Sequence, residues 1–334
     1  MQPETAMFRK ILVPLDHSPL AEQAIGPAAA LARAARADMD LVLVHEPFHR
    51  SGYAAAERRA DRIDFDYKYL KSIAAEITRG ASVPTTVAVV AGEPAEMIRD
   101  RARTVDADLI VMTSHGRTGV SRAWLGSTAD ALVHAATIPV LMLRPTKTAT
   151  RKLASKKLYE HILVTLDGSA RSAEVVPLAE ALAAACKARL TVLSVVPHVP
   201  LAAAFDPTFP IWSATMIPDV EATKQLERDV AKQMNELAAR LRDRTKLSVD
   251  AVVVVSDDTA AAVVDFIRGH DIDAVALSTH GRGASRLLLG SVADKVVRST
   301  GVPVLLQRSS GASAAVDWVT ADGIAEQLPA IARA

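Results

Sequence analysis

The chain of 334 residues contains one cysteine, few aromatic residues and almost no net charge. A single cysteine, Cys186, excludes an internal disulfide and is typical of a reducing compartment, and its Ala-rich surroundings indicate an inert packed thiol. Aromatic residues make up only 4% of the chain, so that Ala, Val and Leu supply the apolar mass. This composition favours helices packed on a parallel sheet over a β-sandwich. A formal net charge of +1 gives no electrostatic case for a nucleic-acid or membrane-surface partner.

Long apolar runs and several familiar motifs are also missing from the sequence. No stretch of about 18 uninterrupted apolar residues occurs, so we expect no membrane span. Residues 1–9 lack the apolar segment of a signal peptide, and we therefore expect a cytoplasmic protein. The sequence G-x4-G-K-S/T does not occur, which excludes a P-loop ATPase. The dinucleotide fingerprint G-x-G-x-x-G does not follow the first strand of either half, and no Cys/His cluster has metal-ligand spacing.

A repeated stretch is the most informative feature that the sequence does contain. Residues 113–128 read TSHGRTGVSRAWLGST, and residues 278–292 read STHGRGASRLLLGSV. Each copy follows a strand-like apolar run and precedes a helical pattern. A glycine loop between a strand and a helix can direct backbone N–H groups at a phosphate, because glycine permits close approach and the helix N-terminus carries partial positive charge. Two copies indicate a duplicated unit.

The apolar patterning predicts the order β-α-β-α-β-α-β-α-β in each half. The predicted strands are residues 11–15, 41–44, 86–90, 108–112 and 140–143, and then 161–167, 190–196, 250–255, 274–277 and 304–306. Ser18 is the expected cap of the first helix, and residues 57–79 carry the pattern of a long charged helix. Such units form a parallel, doubly wound sheet with right-handed crossovers. Ligands of these sheets bind beyond the carboxyl ends of the strands, where the chain order reverses.

The repeat divides the chain into two domains, which we assign to residues 1–147 and 158–309. Residues 310–334 form a C-terminal tail to which we assign no chemistry. The second copy is 13 residues longer than the first, and much of the excess lies in the proline-rich residues 197–218. Two interpretations of that long loop stay open: a lid or contact surface at the second site, or a loop collapsed onto its own domain.

Three features of the repeat resemble one known family. Asp16 and Asp167 each end a first strand, and each glycine loop closes on a Gly-Ser pair, Gly126-Ser127 in the first half and 290–291 in the second. A Pro-Val pair opens each fifth strand. Through these residues both halves resemble universal stress protein domains, and the chain resembles a tandem two-domain member. The resemblance implies an α/β fold of two doubly wound five-stranded parallel-sheet domains, adenine nucleotide alpha hydrolase-like, in strand order 3-2-1-4-5. It also implies domain pairing through strand five within the chain, and it leaves a homodimer open.

The resemblance further implies a site for ATP, with Mg or Mn bridging its phosphates, between the ends of strands one and four. In the first half Gly116, Gly126, Ser127 and Thr128 match the phosphate contacts, and Asp16 with the backbone near Pro14, Val44 and Met112 matches the adenosine contacts. Arg117 could reach a γ-phosphate or be a solvated surface arginine. In the second half the matching residues are Asp167, Gly281, Gly290, Ser291 and Val292.

The two halves depart from the family motif G-x2-G-x9-G-S/T in two ways. The first glycine is Thr113 in one half and Ser278 in the other. Only eight residues, rather than nine, separate Gly281 from Gly290, so the second loop has lost or displaced one N–H group. We therefore predict that the first half binds nucleotide more tightly and that the second binds it weakly or not at all.

Three classes of function stay open at this point. The leading hypothesis is a nucleotide-responsive stress-response protein, and the alternatives are a nucleotide-independent structural or chaperone-like module and a slow ATPase or adenylyl-transferring enzyme. No nucleophile, base and orienting group can be assembled around His115 and His280, so we assign no catalytic residue. Asp16 and Asp167 could contact a ligand or metal, or could only favour the following helix N-terminus.

Overall fold

The computed structural model describes residues 7–45, 53–114, 125–135, 137–146, 158–201, 218–279 and 289–308. Several features of interest lie outside these residues. They are Gly116, Arg117 and Gly281 of the glycine loops, the two loop histidines, residues 147–157 at the boundary between the two domains, most of the proline-rich loop and the C-terminal tail. The predictions made for them stay predictions.

The described part of the first half alternates strands and helices as the patterning predicts. Its strands are β1 Lys10–Leu15, β2 Asp38–His45, β3 Thr85–Ala91, β4 Leu109–Thr113 and β5 Val140–Leu143. Its helices are α1 Ile25–Ala35, α2 Tyr53–Ala81, α3 Pro94–Thr104 and α4 Ser127–Ala135. Helix α2 thus begins four residues before the predicted start, because the alanines that precede residue 57 are strong helix formers.

The start of the first helix also differs from the prediction. The Ser18 hydroxyl accepts the Ala21 N–H at 3.0 Å, as expected of a cap, but residues Ala21–Ala24 form a 3-10 turn and the regular helix begins at Ile25. Pro27 explains the delay, since proline lacks an N–H and is tolerated only in the first turn of an α-helix.

The second half repeats this arrangement. Its strands are β6 His161–Leu166, β7 Arg189–Val196, β8 Val249–Val255, β9 Ala274–Ser278 and β10 Val304–Gln307. Its helices are α5 Ala170–Ala173, α6 Val176–Cys186, α7 Val220–Thr245, α8 Thr259–Gly269 and α9 Ser291–Ser299. The helical pattern that follows Gly168-Ser169 predicts one helix through about Lys187, but the structure divides it into α5 and α6, with Pro177 in the first turn of α6.

The ten strands of the described ranges form one sheet in the order β3-β2-β1-β4-β5-β10-β9-β6-β7-β8. Strand pairs are parallel within each half, and each half has the order 3-2-1-4-5. The halves meet through antiparallel pairing of β5 with β10, in which Leu141 lies opposite Leu305. The predicted fold class and the predicted pairing through strand five are therefore confirmed.

Two apolar layers cover the faces of this sheet. Alternating strand residues divide between them, so that Ile11 and Val13 face α1 and α2 while Leu12 faces α3 and α4. The equivalent helices of the second half continue the same two layers. None of the helices in the described ranges has the length and apolarity needed to cross a bilayer.

Candidate functional site

The first and fourth strands of each half are neighbours in the sheet. Ile11 in β1 pairs with Leu109 in β4, and Ile162 in β6 pairs with Ala274 in β9. The chain order reverses between these strands, which creates a crevice at their carboxyl ends. Asp16 follows β1 and Gly126 follows β4, so the two residues lie at the same edge of the sheet. The crevice predicted from the sequence is therefore present in the topology.

In the second half this crevice is a cleft of about 880 Å³, a volume typical of small-molecule sites. It brings together the predicted residues Asp167, Gly290, Ser291 and Val292. The other polar residues that line it are Asp130, His134, Thr165, Ser172, Ser256, Asp257, Thr259, Ser278, Thr279, Asp294 and Arg298.

The backbone anchors of the glycine loop are the same in both halves. The Gly126 N–H donates to the carbonyl oxygen of Ser114 at 2.8 Å, and the Gly290 N–H donates to that of Thr279 at 2.7 Å. The one-residue shortening of the second loop therefore lies between the anchors, among residues outside the described ranges. It leaves the turn into α9 in the same position as the turn into α4.

The N-terminus of α9 forms one wall of the cleft. Gly290 precedes this helix, and no side chain within the described ranges caps it, whereas Asp258 caps the neighbouring α8 by accepting the Ala261 N–H at 2.8 Å. An uncapped first turn offers backbone N–H donors and partial positive charge to an anion. Residues 291–293 line the cleft, so their N–H groups are placed to meet one.

The strand-one aspartates have a structural role that the structure shows directly. Asp16 Oδ1 accepts the Ser18 N–H at 2.9 Å. Asp167 Oδ1 accepts both the N–H and the hydroxyl of Ser169, at 2.9 and 2.6 Å. Each carboxylate thus fixes the turn that opens the next helix. Asp167 also lines the cleft, so that fixing the turn does not exclude contact with a ligand.

The remaining first-half residues of the predicted site converge on one edge of the sheet. Pro14 lies in β1, Val44 in β2 and Met112 in β4, near the carboxyl end of each strand. Ser127 and Thr128 are the first residues of α4, which begins at the same edge. Their contact with a nucleotide stays a prediction.

The sequence did not predict a buried cluster of ionisable side chains beside Asp16. Asp66 on α2 is 1% exposed, and its two carboxylate oxygens lie 2.7 Å from His17 Nε2 and 2.6 Å from His45 Nε2. The His17 ring also packs on Tyr69, with the ring centroids 4.2 Å apart. Three residues this distant in sequence carry no shared motif, so only the packing of α2 on the sheet reveals the cluster.

Neither metal chemistry nor thiol chemistry is evident among the described residues. No group of three or more His, Cys, Asp or Glu side chains there has the geometry to hold a metal ion. Burial raises the pKa of the Cys186 thiol to about 11, so little thiolate exists at neutral pH. The inert role expected of this cysteine agrees with that environment.

Comparison with known proteins identifies the family. The model of the universal stress protein family matches residues 7–144 and 158–308, which is most of the chain. The chain belongs to the universal stress protein family. Its tandem arrangement follows from the two separate matches.

Individual relatives match one half of this universal stress protein at a time or share its whole fold. Universal stress protein A homolog 2 of Coxiella burnetii is 33% identical over 141 residues, which cover 41% of this chain and 95% of the relative. A universal stress protein of Mycobacterium tuberculosis is 31% identical over 141 residues, covering 40% of this chain and 45% of the relative. The crystal structure of a universal stress protein from Archaeoglobus fulgidus superposes with a TM-score of 0.64 at 16% identity, covering 90% of this chain and 98% of that one.

Proposed function

We propose that this universal stress protein binds ATP together with a divalent cation and acts as a nucleotide-responsive protein in a stress response. The second-half cleft is the observation that carries the proposal. Asp167 lines the cleft, and its carboxylate can accept hydrogen bonds from ribose hydroxyls. The uncapped N-terminus of α9 also lines it, and the backbone N–H groups there can donate to phosphates. The volume of about 880 Å³ suits a mononucleotide.

The charges of the described cleft wall support a role for the cation. The described wall carries four carboxylates and one guanidinium, and this net negative charge would repel a bare triphosphate; the residues are Asp130, Asp167, Asp257, Asp294 and Arg298. Mg²⁺ or Mn²⁺ bound to the phosphates offsets that repulsion, and carboxylate oxygens are ligands that such hard cations prefer. The first half has the same turn into α4 and an aspartate at the same strand end, which supports a second nucleotide site there.

Mass spectrometry of small molecules released from the purified full chain tests the proposal most directly, and we expect adenine nucleotide. Calorimetric titration of the full-length variants Asp16→Ala and Asp167→Ala with MgATP then distinguishes the nucleotide sites of the two halves. Each substitution removes a charged hydrogen-bond acceptor, worth roughly 1.5–3 kcal/mol, and is expected to weaken binding at its own site about 10- to 100-fold. We expect the larger loss of high-affinity binding from Asp16→Ala, because the loop of the first half has the full motif spacing.

An exposed aspartate provides the matched control for these substitutions. Asp265 lies on α8, where it pairs with Arg268, and Asp265→Ala should leave MgATP binding unchanged. Absence of released nucleotide, together with no binding heat at millimolar MgATP, would favour a nucleotide-independent module instead. A parent ATPase rate no greater than that of Asp16→Ala would end the enzyme alternative.

A further inference from the structure

The antiparallel junction between the halves brings the end of one helix to the site of the other half. Helix α4 starts at the carboxyl edge of the first-half strands and runs back to their amino edge, where β5 begins. Because β5 and β10 are antiparallel, that amino edge is continuous with the carboxyl edge of the second half. His134 in the last turn of α4 therefore lies in the wall of the second-half cleft, together with Asp130.

His134 contacts the backbone that leads into the uncapped helix α9. The N–H of the buried Leu289, directly before Gly290, donates to His134 Nδ1 at 3.2 Å. An Nδ1 that accepts a hydrogen bond carries no proton, so this contact requires the neutral imidazole with its proton on Nε2. The imidazole of the first half thus holds the turn that places the α9 N-terminus in the second half.

The second half cannot make the reciprocal contact with the turn before α4, because its equivalent residue is an arginine. Arg298 occupies the α9 position equivalent to His134, and the backbone around both positions is held alike. Arg144 donates to the Arg298 carbonyl at 2.9 Å, and Arg308 donates to the His134 carbonyl at 2.8 Å. The side chains differ, because a guanidinium has only donors and cannot accept an N–H from the turn before α4.

We propose that His134 is a positioning residue of the second-half nucleotide site, which is therefore completed by the first half of the chain. This inference rests on the proposed function for its ligand, MgATP. The bond from the Leu289 N–H fixes Gly290 and the N–H groups of residues 291–293 where the phosphates are expected. Loss of one hydrogen bond of this type should weaken MgATP binding at the second site roughly three- to tenfold.

Hydrogen exchange resolved by peptide tests this role in the full chain. His134→Asn keeps an acceptor near the Nδ1 position, whereas His134→Leu removes the acceptor at similar size. Without nucleotide, residues 289–293 should exchange faster in His134→Leu than in the wild type or His134→Asn. With MgATP, His134→Leu should need a three- to tenfold higher concentration to protect 289–293 and an unchanged concentration to protect 125–129.

The contrary outcomes separate this inference from the proposed function. Equal exchange of 289–293 in all three proteins, or equal MgATP protection of this segment in His134→Leu and the wild type, overturns the role of His134 alone. Weakening of both halves by His134→Leu also overturns it, since that result indicates general destabilisation. Absence of protection by MgATP in both halves overturns the proposed function, and this inference with it. Protection of 125–129 without protection of 289–293 overturns this inference and leaves the proposed function in place.

Discussion

The two halves share one backbone but bury different chemistry at equivalent positions. Asp40 in β2 is fully buried, and Arg101 binds it through Nε at 2.9 Å and Nη2 at 2.7 Å. The hydrogen bond to Asp40 raises the pKa of Arg101. In the second half Thr191 occupies the Asp40 position, and its hydroxyl lies 2.8 Å from His161 Nε2. A buried ion pair in one copy is thus replaced by a neutral hydrogen bond in the other.

The cluster around Asp66 shows the same difference. The strand and helix registers of the two halves place Gly168, Val196 and Val230 where the first half has His17, His45 and Asp66. His17 and Gly168 both adopt positive φ angles, 66° and 80°. Both halves therefore adopt the same fold, although only the first contains these buried ionisable side chains. This agrees with the small net contribution that buried ion pairs are expected to make to the free energy of unfolding. Charge burial in the first half is a property of that copy rather than a requirement of the architecture.

The largest effect is expected from breaking the buried pair of the first half. Arg101→Met leaves the Asp40 carboxylate buried without its cation, and such losses cost about 3–5 kcal/mol of unfolding free energy. Thr86 also donates to this carboxylate but cannot supply positive charge. Urea denaturation, with hydrogen exchange of β2 as a local readout, measures the loss.

The double variant Asp40→Thr with Arg101→Met makes the first half resemble the second at this position. It should recover most of the lost stability, since the uncompensated charge is gone. A single variant that is as stable as the double variant would show that Asp40 needs no cation, and the comparison between the halves would lose its energetic basis.

A smaller effect is expected at the histidine cluster, because His17 is partly exposed. The double variant His17→Gly with His45→Val copies the second half but leaves Asp66 buried without either imidazole. We expect a loss of roughly 3 kcal/mol in unfolding free energy. Glycine accepts the positive φ of position 17, so backbone strain does not contribute.

Adding Asp66→Val to these two substitutions completes the copy of the second half. The triple variant should regain most of the stability, as judged by the same urea titration. If the triple variant is instead less stable than the double variant, Asp66 stabilises the first half through contacts other than the two histidines.

The sequence predicted the features that depend on local patterning. The duplicated strand-helix order, the edge shared by Asp16 and Gly126, and the pairing through the fifth strands were all expected and are confirmed. The patterning located helix starts less well, because Pro27 and Pro177 act on particular turns within otherwise uniform helical runs.

The sequence did not predict contacts between elements that lie far apart along the chain. His134 meets Leu289 only because an antiparallel junction joins two parallel sheets. Asp66 contacts His17 and His45 only because α2 packs on the sheet in a position that brings this carboxylate next to both imidazoles. Neither the junction geometry nor the helix position is encoded in a spacing of residues along the chain.

The smallest effect is expected at a position where the second half carries the extra polar group. Tyr159 is buried before β6, at the position that Phe8 occupies before β1, and its hydroxyl has no hydrogen-bond partner within the described part of the chain. Burial raises the pKa of Tyr159 well above its usual value of about 10. The unfolded chain therefore releases this proton near pH 10 while the folded chain keeps it.

This difference in pKa fixes the sign of the pH dependence. The unfolded state binds fewer protons above about pH 10, so Tyr159 lowers the stability of the wild type as the pH rises through that value. Tyr159→Phe removes this loss and copies the first half. At pH 7 we expect the unfolding free energy to change by less than about 1 kcal/mol. Between pH 9 and about pH 11 the variant should lose less stability than the wild type in urea titrations, and parallel losses would mean that the hydroxyl ionises as readily in the folded chain.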